Sequence, residues 1–317
     1  MHTITVRLPL TLAINAYDHV RDLRPQAIDL TVLELPIEEI FYRFTRFREW
    51  EASEMSFGKV VALLSQPAPD VVAIPVFPSR VFRHSAIYTS KLGTPKELEG
   101  KRVGIPEWAQ TAGIYVRGLL QHEYRVDLAR IEWVQAGVRE PGRVEKVALN
   151  LPPGVRITPA PDKTLAGMLA SGELDAVISA RDPGGARLFP NYVEVEAAYF
   201  HKTGIFPIMH VVVLRREVYE RDRWIAMNLF KAFEEAKRAA EARITEIGLS
   251  HIPIPWLAEH AKRWREVAGE DFWPYGIEAN RPTLEAFLQY AHEQGVAMRR
   301  LRVEELFAPE TLERAKI

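Results

Sequence analysis

The chain contains no cysteine, so disulfides, thiolate catalysis and cysteine-held metal are all excluded. It has no long apolar run either, because charged residues interrupt every candidate stretch, and a membrane-spanning helix is not expected. Net charge is nearly absent: 41 basic residues stand against 42 acidic ones, giving −1, so no global field draws nucleic acid or an anionic membrane. The start, Met1 to Pro9, lacks the apolar core and small-residue cleavage site of a secretory signal, and a cytoplasmic location is the expectation. Gly-x-Gly-x-x-Gly, Gly-x-x-x-x-Gly-Lys and Gly-x-Ser-x-Gly are missing, which leaves nucleotide chemistry and serine hydrolysis unsupported. His-x-His and His-Glu-x-x-His are missing too, so the spacing supports no metal site.

What remains is an ordinary globular composition, 47% apolar and 26% charged, over 317 residues, enough for two lobes with a core each. Strands are expected at Ile4 to Leu8, Ile28 to Leu35 and Val71 to Phe77, with helices over 37–44 and 57–64 and a short polar segment at 50–56. A second α/β unit follows Tyr88: strands near 101–107 and 173–179, a helix that Thr111 caps, and a helix over 165–169 that Asp162 caps. Residues 192–199 read as extended, 206–214 as a strand, and most of the chain beyond 218 as helix, with Trp224 on a buried face. The second unit is expected to be inserted in the first: lobe I from 1–84 and 208–317, lobe II from 85–207, with a ligand cleft between them.

Several polar groups fall at strand ends or helix starts, where open α/β sheets bind ligands. Arg80, Arg83 and His84 follow the strand ending near Phe77, and arginine's fork of donors suits a planar carboxylate. Ser53 and Glu54 precede a helix. Ala109, Gln110, Thr111 and Ala112 open another, whose free N–H groups form a prospective carboxylate cradle. Glu107 suits that cradle poorly and would have to be a proton carrier. His210 lies at the second crossing between lobes, and Arg181 follows a buried strand.

Two segments, Thr94 to Gly104 and Leu165 to Ala176, resemble the type II periplasmic-binding-protein fold. A narrower resemblance spans nearly the whole chain. Ser53-Glu54-Met55-Ser56, Ala73 to Arg80, Phe82-Arg83-His84-Ser85, Thr203 to His210, Asp271 to Gly276 and Glu305 to Leu312 resemble the 4,5-dihydroxyphthalate decarboxylases. Departures occur at Asn15-Ala16 and at Trp108-Ala109-Gln110, where a glutamine stands one place from its usual position. The resemblance implies a two-lobed α/β fold with a helical C-terminal extension, and cofactor-independent loss of carbon dioxide from an aromatic dicarboxylate. It implies Arg80 and Arg83 as anchors, Ser53, Gln110, Thr111 and Arg181 as further substrate contacts, His84 or His210 as acid, and Glu54 or Glu107 as base. The implied partner is a small aromatic carboxylate, with neither nucleic acid nor membrane, and a homo-oligomer is compatible. The rival reading is a non-catalytic solute-binding protein or sensor for a small carboxylate.

Overall fold

A computed structural model describes residues 7–312; the first three residues of the strand expected at Ile4 to Leu8 lie outside it. The first sheet uses β1 (Leu8–Ile14), β2 (Ile28–Glu34), β3 (Ala52–Ser56), β4 (Val71–Ile74) and the late β11 (His210–Arg215). Its order is β2-β1-β3-β11-β4, with β11 antiparallel to both neighbours. The second sheet holds β5 (Ile87–Thr89), β6 (Arg102–Ile105), β7 (Glu132–Gly137), β8 (Ile157–Thr164), β9 (Ala176–Ile178) and β10 (Ala186–Arg187), ordered β10-β5-β9-β6-β7-β8. Strands up to 74 and after 209 thus share one sheet and those between share the other. The chain crosses twice.

The helices are α1 (Ile37–Phe47), α2 (Phe57–Leu64), α3 (Thr111–His122), α4 (Leu165–Ala170), α5 (Tyr192–Thr203), α6 (Arg216–Arg221), α7 (Trp224–Thr245), α8 (Leu257–Ala268) and α9 (Arg281–Glu293). Four local expectations are corrected. The polar 50–56 segment contains β3, every residue of which is buried, because it sits between β1 and β11 inside the sheet. Residues 192–199 are helical: Glu196 and Tyr199, three apart, form the buried face of α5, and this periodicity outweighs the β-branched Val193 and Val195. Trp224 is largely exposed at the start of α7, while Ile225, Leu229, Phe233 and Ala236 fill its buried face. The cap of α4 is Thr164, whose hydroxyl accepts from the Gly167 N–H, rather than Asp162.

One continuous core runs from the first sheet through α3 to α9. Phe287 of α9 stacks on Phe57 at 4.5 Å and meets Tyr115 of α3 at 4.7 Å. Arg117 is completely buried in the same layer. Its Nε donates to Gln294 Oε1 at 2.8 Å, its Nη2 donates to the Trp108 carbonyl, and its guanidinium lies 3.8 Å from the Trp108 ring. Burial pushes its pKa down to about 9, with distant Glu145 only partly opposing. No helix among the described residues is long and apolar enough to cross a membrane.

Candidate active site

The carboxyl ends of β1 and β3 and the amino end of the antiparallel β11 share one edge of the first sheet. On that edge Val212 lies opposite Glu54, which makes His210, two residues away, a diagonal neighbour of Glu54 on the same face. Ser53 has the opposite parity and points to the other face. Glu54 is fully buried and accepts from three donors: His210 Nδ1 at 2.6 Å and the Tyr17 hydroxyl at 2.6 Å on Oε1, and the Asn15 N–H at 2.9 Å on Oε2. A carboxylate so surrounded fixes the imidazole with its proton on Nδ1 and leaves Nε2 to exchange a proton. Burial, reinforced by the charge of Glu54, pushes the Tyr17 phenol up and keeps it protonated.

Aromatic rings wall this group. Phe41 of α1 meets the His210 ring edge-on at 5.0 Å. His19 lies 5.2 Å from the Tyr17 ring and 5.4 Å from Trp273, and its Nε2 donates to the Pro78 carbonyl at 2.9 Å. Burial lowers the pKa of His19, which favours the neutral ring.

A cationic group lies nearby. Glu38 sits three residues before Phe41, so the two share a face of α1. Glu38 meets Arg143 at 3.4 Å and Arg181 at 3.5 Å. Burial pushes its carboxyl up, yet Arg143 and Lys146 outweigh that and hold it below the usual range. Glu107, buried where Glu38 is exposed, meets Arg143 at 2.7 Å, Lys146 at 3.6 Å and Lys59 at 3.8 Å. Lys59 is itself buried, and desolvation lowers its pKa against the pull of Glu107. Four cations therefore face two carboxylates, and α1 carries both Glu38, which meets two of those cations, and Phe41, which meets the His210 ring.

The residues nominated from sequence divide accordingly. Glu54 and His210 come together. Glu107 is corrected from proton carrier to the hub of an ion-pair cluster, because three cations surround it. Arg80 is corrected as an anchor: it is buried, and its donors go to the Phe206 carbonyl (3.0 Å), the Pro274 carbonyl (2.6 Å) and Asn280 Oδ1. Its fork ties the first crossing to the 274–280 segment, with burial taking its pKa down to about 10. Arg83 instead donates, among the described residues, to the Met209 thioether alone, Nη2 at 2.9 Å and Nε at 3.1 Å, and a thioether is a weak acceptor. His84 is buried among Tyr124, Phe189 and Tyr199, with neither ring nitrogen partnered among the described residues. Desolvation pushes its pKa down to about 4, and it stands apart from the Glu54 group as a neutral core histidine.

Ser53 donates to the carbonyl of Glu54 at 3.0 Å, which spends its hydroxyl on the backbone. Thr111 does not cap its own helix. Its Oγ1 accepts from the Gly58 N–H at 2.9 Å and lies 2.9 Å from Ser56 Oγ, so it closes the start of α2 from the other lobe. Gln110 is the residue before α3, with a buried side-chain oxygen that has no partner among the described residues. The expected carboxylate cradle exists one step earlier and holds a carboxylate of the chain itself: Glu145 Oε2 accepts from the N–H groups of Trp108 (2.6 Å) and Ala109 (3.1 Å). Arg181 is exposed, and among the described residues its side chain reaches Glu38 alone. Sequence reading missed Tyr17, His19, Lys59, Arg143 and Lys146. Placing the first strand at Leu8–Ile14 would have put Tyr17 and His19 just past its carboxyl end. Among the described residues no three histidine, aspartate or glutamate side chains gather as a metal-binding group.

No protein-family model matches the chain. Among curated proteins, the 4,5-dihydroxyphthalate decarboxylase of Comamonas testosteroni is 34% identical over 98% of this chain and 99% of its own length. The chain belongs to the 4,5-dihydroxyphthalate decarboxylase family. The decarboxylase of the same name from Pseudomonas putida is 37% identical over 56% of this chain and 72% of its own. Among solved structures, the sulfonate-binding protein SsuA of Methylobacillus flagellatus (putative by its own description) superposes with a TM-score of 0.53 at 14% identity, covering 96% of this chain and 93% of its own. The periplasmic aliphatic sulphonate-binding protein SsuA of Escherichia coli gives 0.51 at 9% identity, covering 97% and 99%. At that identity the likeness is one of fold, and it identifies this decarboxylase-family chain as a two-lobed α/β protein of the periplasmic-binding-protein type.

Proposed function

We propose that this protein removes carbon dioxide from 4,5-dihydroxyphthalate, or a close aromatic dicarboxylate with adjacent hydroxyls, without a redox or metal cofactor. The observation that carries the reading is the buried Tyr17–Glu54–His210 group, with a cluster of cations gathered at Glu38 of the neighbouring α1. Cations suit a dianionic substrate, and an imidazole backed by a buried carboxylate suits proton delivery.

In this reading Arg143, with Lys59, Lys146 and Arg181 around it, receives the retained carboxylate, and Arg83 supplies a further cation. His210 Nε2–H gives its proton to the ring carbon that bears the departing carboxylate. The hydroxyl para to that carbon feeds electron density into the ring as the C–H bond forms. The C–C bond to the carboxylate then breaks, its electron pair restores aromaticity, and carbon dioxide leaves. One proton is taken up overall, returned to His210 from solvent. Glu54 does not touch the substrate; it positions the ring and stabilises the imidazolium. A cytoplasmic location belongs to the same proposal, and cell fractionation checks it.

The test is carbon dioxide release by purified protein in deuterium oxide. Release with one deuterium on the vacated ring carbon supports the reading. Tight binding without release favours the solute-binding alternative.

A further inference from the structure

We propose that His19 is the base of the reaction, its Nδ1 taking the proton of the substrate hydroxyl para to the departing carboxylate; this rests on the decarboxylation proposed above. That chemistry makes two proton demands, one at the ring carbon and one at the hydroxyl, and His210 answers only the first. The other groups near the sheet edge are committed. Glu54 already accepts from three donors, and the Tyr17 phenol keeps its proton and donates it to Glu54. Glu107 is enclosed by three cations.

His19 differs from all of these. Its Nε2 lies 2.9 Å from the Pro78 carbonyl, which can only accept, so Nε2 carries the proton and the neutral ring presents a lone pair at Nδ1. Nδ1 has no hydrogen-bond partner among the described residues. The ring is held in place. Tyr17 packs against it at 5.2 Å and Trp273 at 5.4 Å, and the Trp273 Nε1–H is tied to the carbonyl of Phe77, next to Pro78, at 3.1 Å. His19 still keeps part of its surface open, as Tyr17, Trp273 and His210 do.

Tyr17 joins the two histidines: its ring packs on His19, and its hydroxyl stands 3.5 Å from His210 Nδ1. Their partners give them opposite tasks. A carboxylate behind His210 favours the imidazolium, which is the donor. A neutral carbonyl behind His19, within aromatic walls, favours the uncharged ring, which is the acceptor. Burial lowers the His19 pKa and Lys237 adds to this, while the Pro78 carbonyl, Glu54 and Asp18 oppose without reversing it.

The O–H proton passes to His19 Nδ1 while the His210 imidazolium gives its Nε2 proton to carbon. The oxygen becomes a carbonyl across the ring from the new C–H bond. When the C–C bond breaks, its electron pair restores the aromatic ring and returns charge to that oxygen, which takes its proton back from His19. His19 ends as it began, and the one proton consumed enters through His210.

The test is carbon dioxide release from 4,5-dihydroxyphthalate by His19→Gln, which keeps a donor for the Pro78 carbonyl but has no basic nitrogen. Expected are a kcat about 10²-fold below wild type, a KM within a few-fold, and loss of the acidic limb that the wild-type kcat/KM profile shows below about pH 6.5. A kcat within a few-fold of wild type, or an acidic limb that survives, overturns the assignment of His19 while leaving the decarboxylation intact. A wild type that releases no carbon dioxide removes the decarboxylation reading, and this inference with it. Should the glutamine variant misfold, His19→Ala leaves room for an added ring. Imidazole is expected to restore its turnover and pyrrole, of the same shape but without a basic nitrogen, to leave it unchanged. Restoration by both, or by neither, contradicts the proposal.

Discussion

Glu54 and His210 differ from the other titratable groups near the sheet edge in how their bonds are spent. Glu54 is saturated by three donors, whereas His210 Nε2 has no partner among the described residues. Glu54→Gln keeps the shape but places an amide where a carboxylate charge held the imidazolium, and kcat is expected to fall about 10²-fold with KM within a few-fold. A large KM change with unaltered kcat would instead place Glu54 in substrate binding. Arg143→Ala is expected to raise KM about tenfold or more, since the cation facing the substrate carboxylate is removed. Steady-state kinetics separate the two. His84 makes a prediction about pH. Its folded pKa of about 4 lies below the unfolded value near 6.5, so the folded state binds fewer protons and stability is lost as pH falls from about 6.5 to 4. The contribution is at most about 3 kcal/mol. His84→Phe should flatten the fall in melting temperature across that window, and an unchanged slope would assign the acid lability elsewhere. Glu54 was visible in sequence as a polar group just before a helix start, and His210 as the polar residue of an otherwise apolar strand. Arg80 was misjudged because its acceptors come from residues 206 and 274–280, whose proximity no local pattern announces.

The elements show the same split between local and distant causes. The spacing of Ile40 and Phe44 gave α1, and Leu229, Phe233 and Ala236 gave α7, because each face is written in its own segment. β3 was unreadable as a strand: Ala-Ser-Glu-Met-Ser carries no apolar alternation, and its burial comes from β1 and β11 on either side. α3 and α9 pack so closely that a Cβ on Gly118 would lie 2.2 Å from the Tyr290 ring. Since the obstacle is the root of an aromatic ring, it cannot swing aside cheaply. Gly118→Ala is expected to destabilise by about 1–3 kcal/mol, despite alanine's better helix propensity. Chemical denaturation measures this, and a neutral or stabilising result would mean that the two helices separate easily.

At the scale of the whole molecule, two sheets joined by two crossings were legible from the order of strand and helix signals. The layer that fastens them was not. Trp108, Tyr115 and Arg117 from one lobe and Phe287 and Gln294 from the other form it, and nothing in their local sequence marks them as partners. This shared layer fastens the two sheets of the decarboxylase-family chain to each other. The most direct test is His210→Gln, comparing carbon dioxide release from 4,5-dihydroxyphthalate with substrate binding by calorimetry. Binding within a few-fold of wild type with release reduced at least about 10²-fold is the expected result; release at the wild-type rate would contradict His210 as the proton donor.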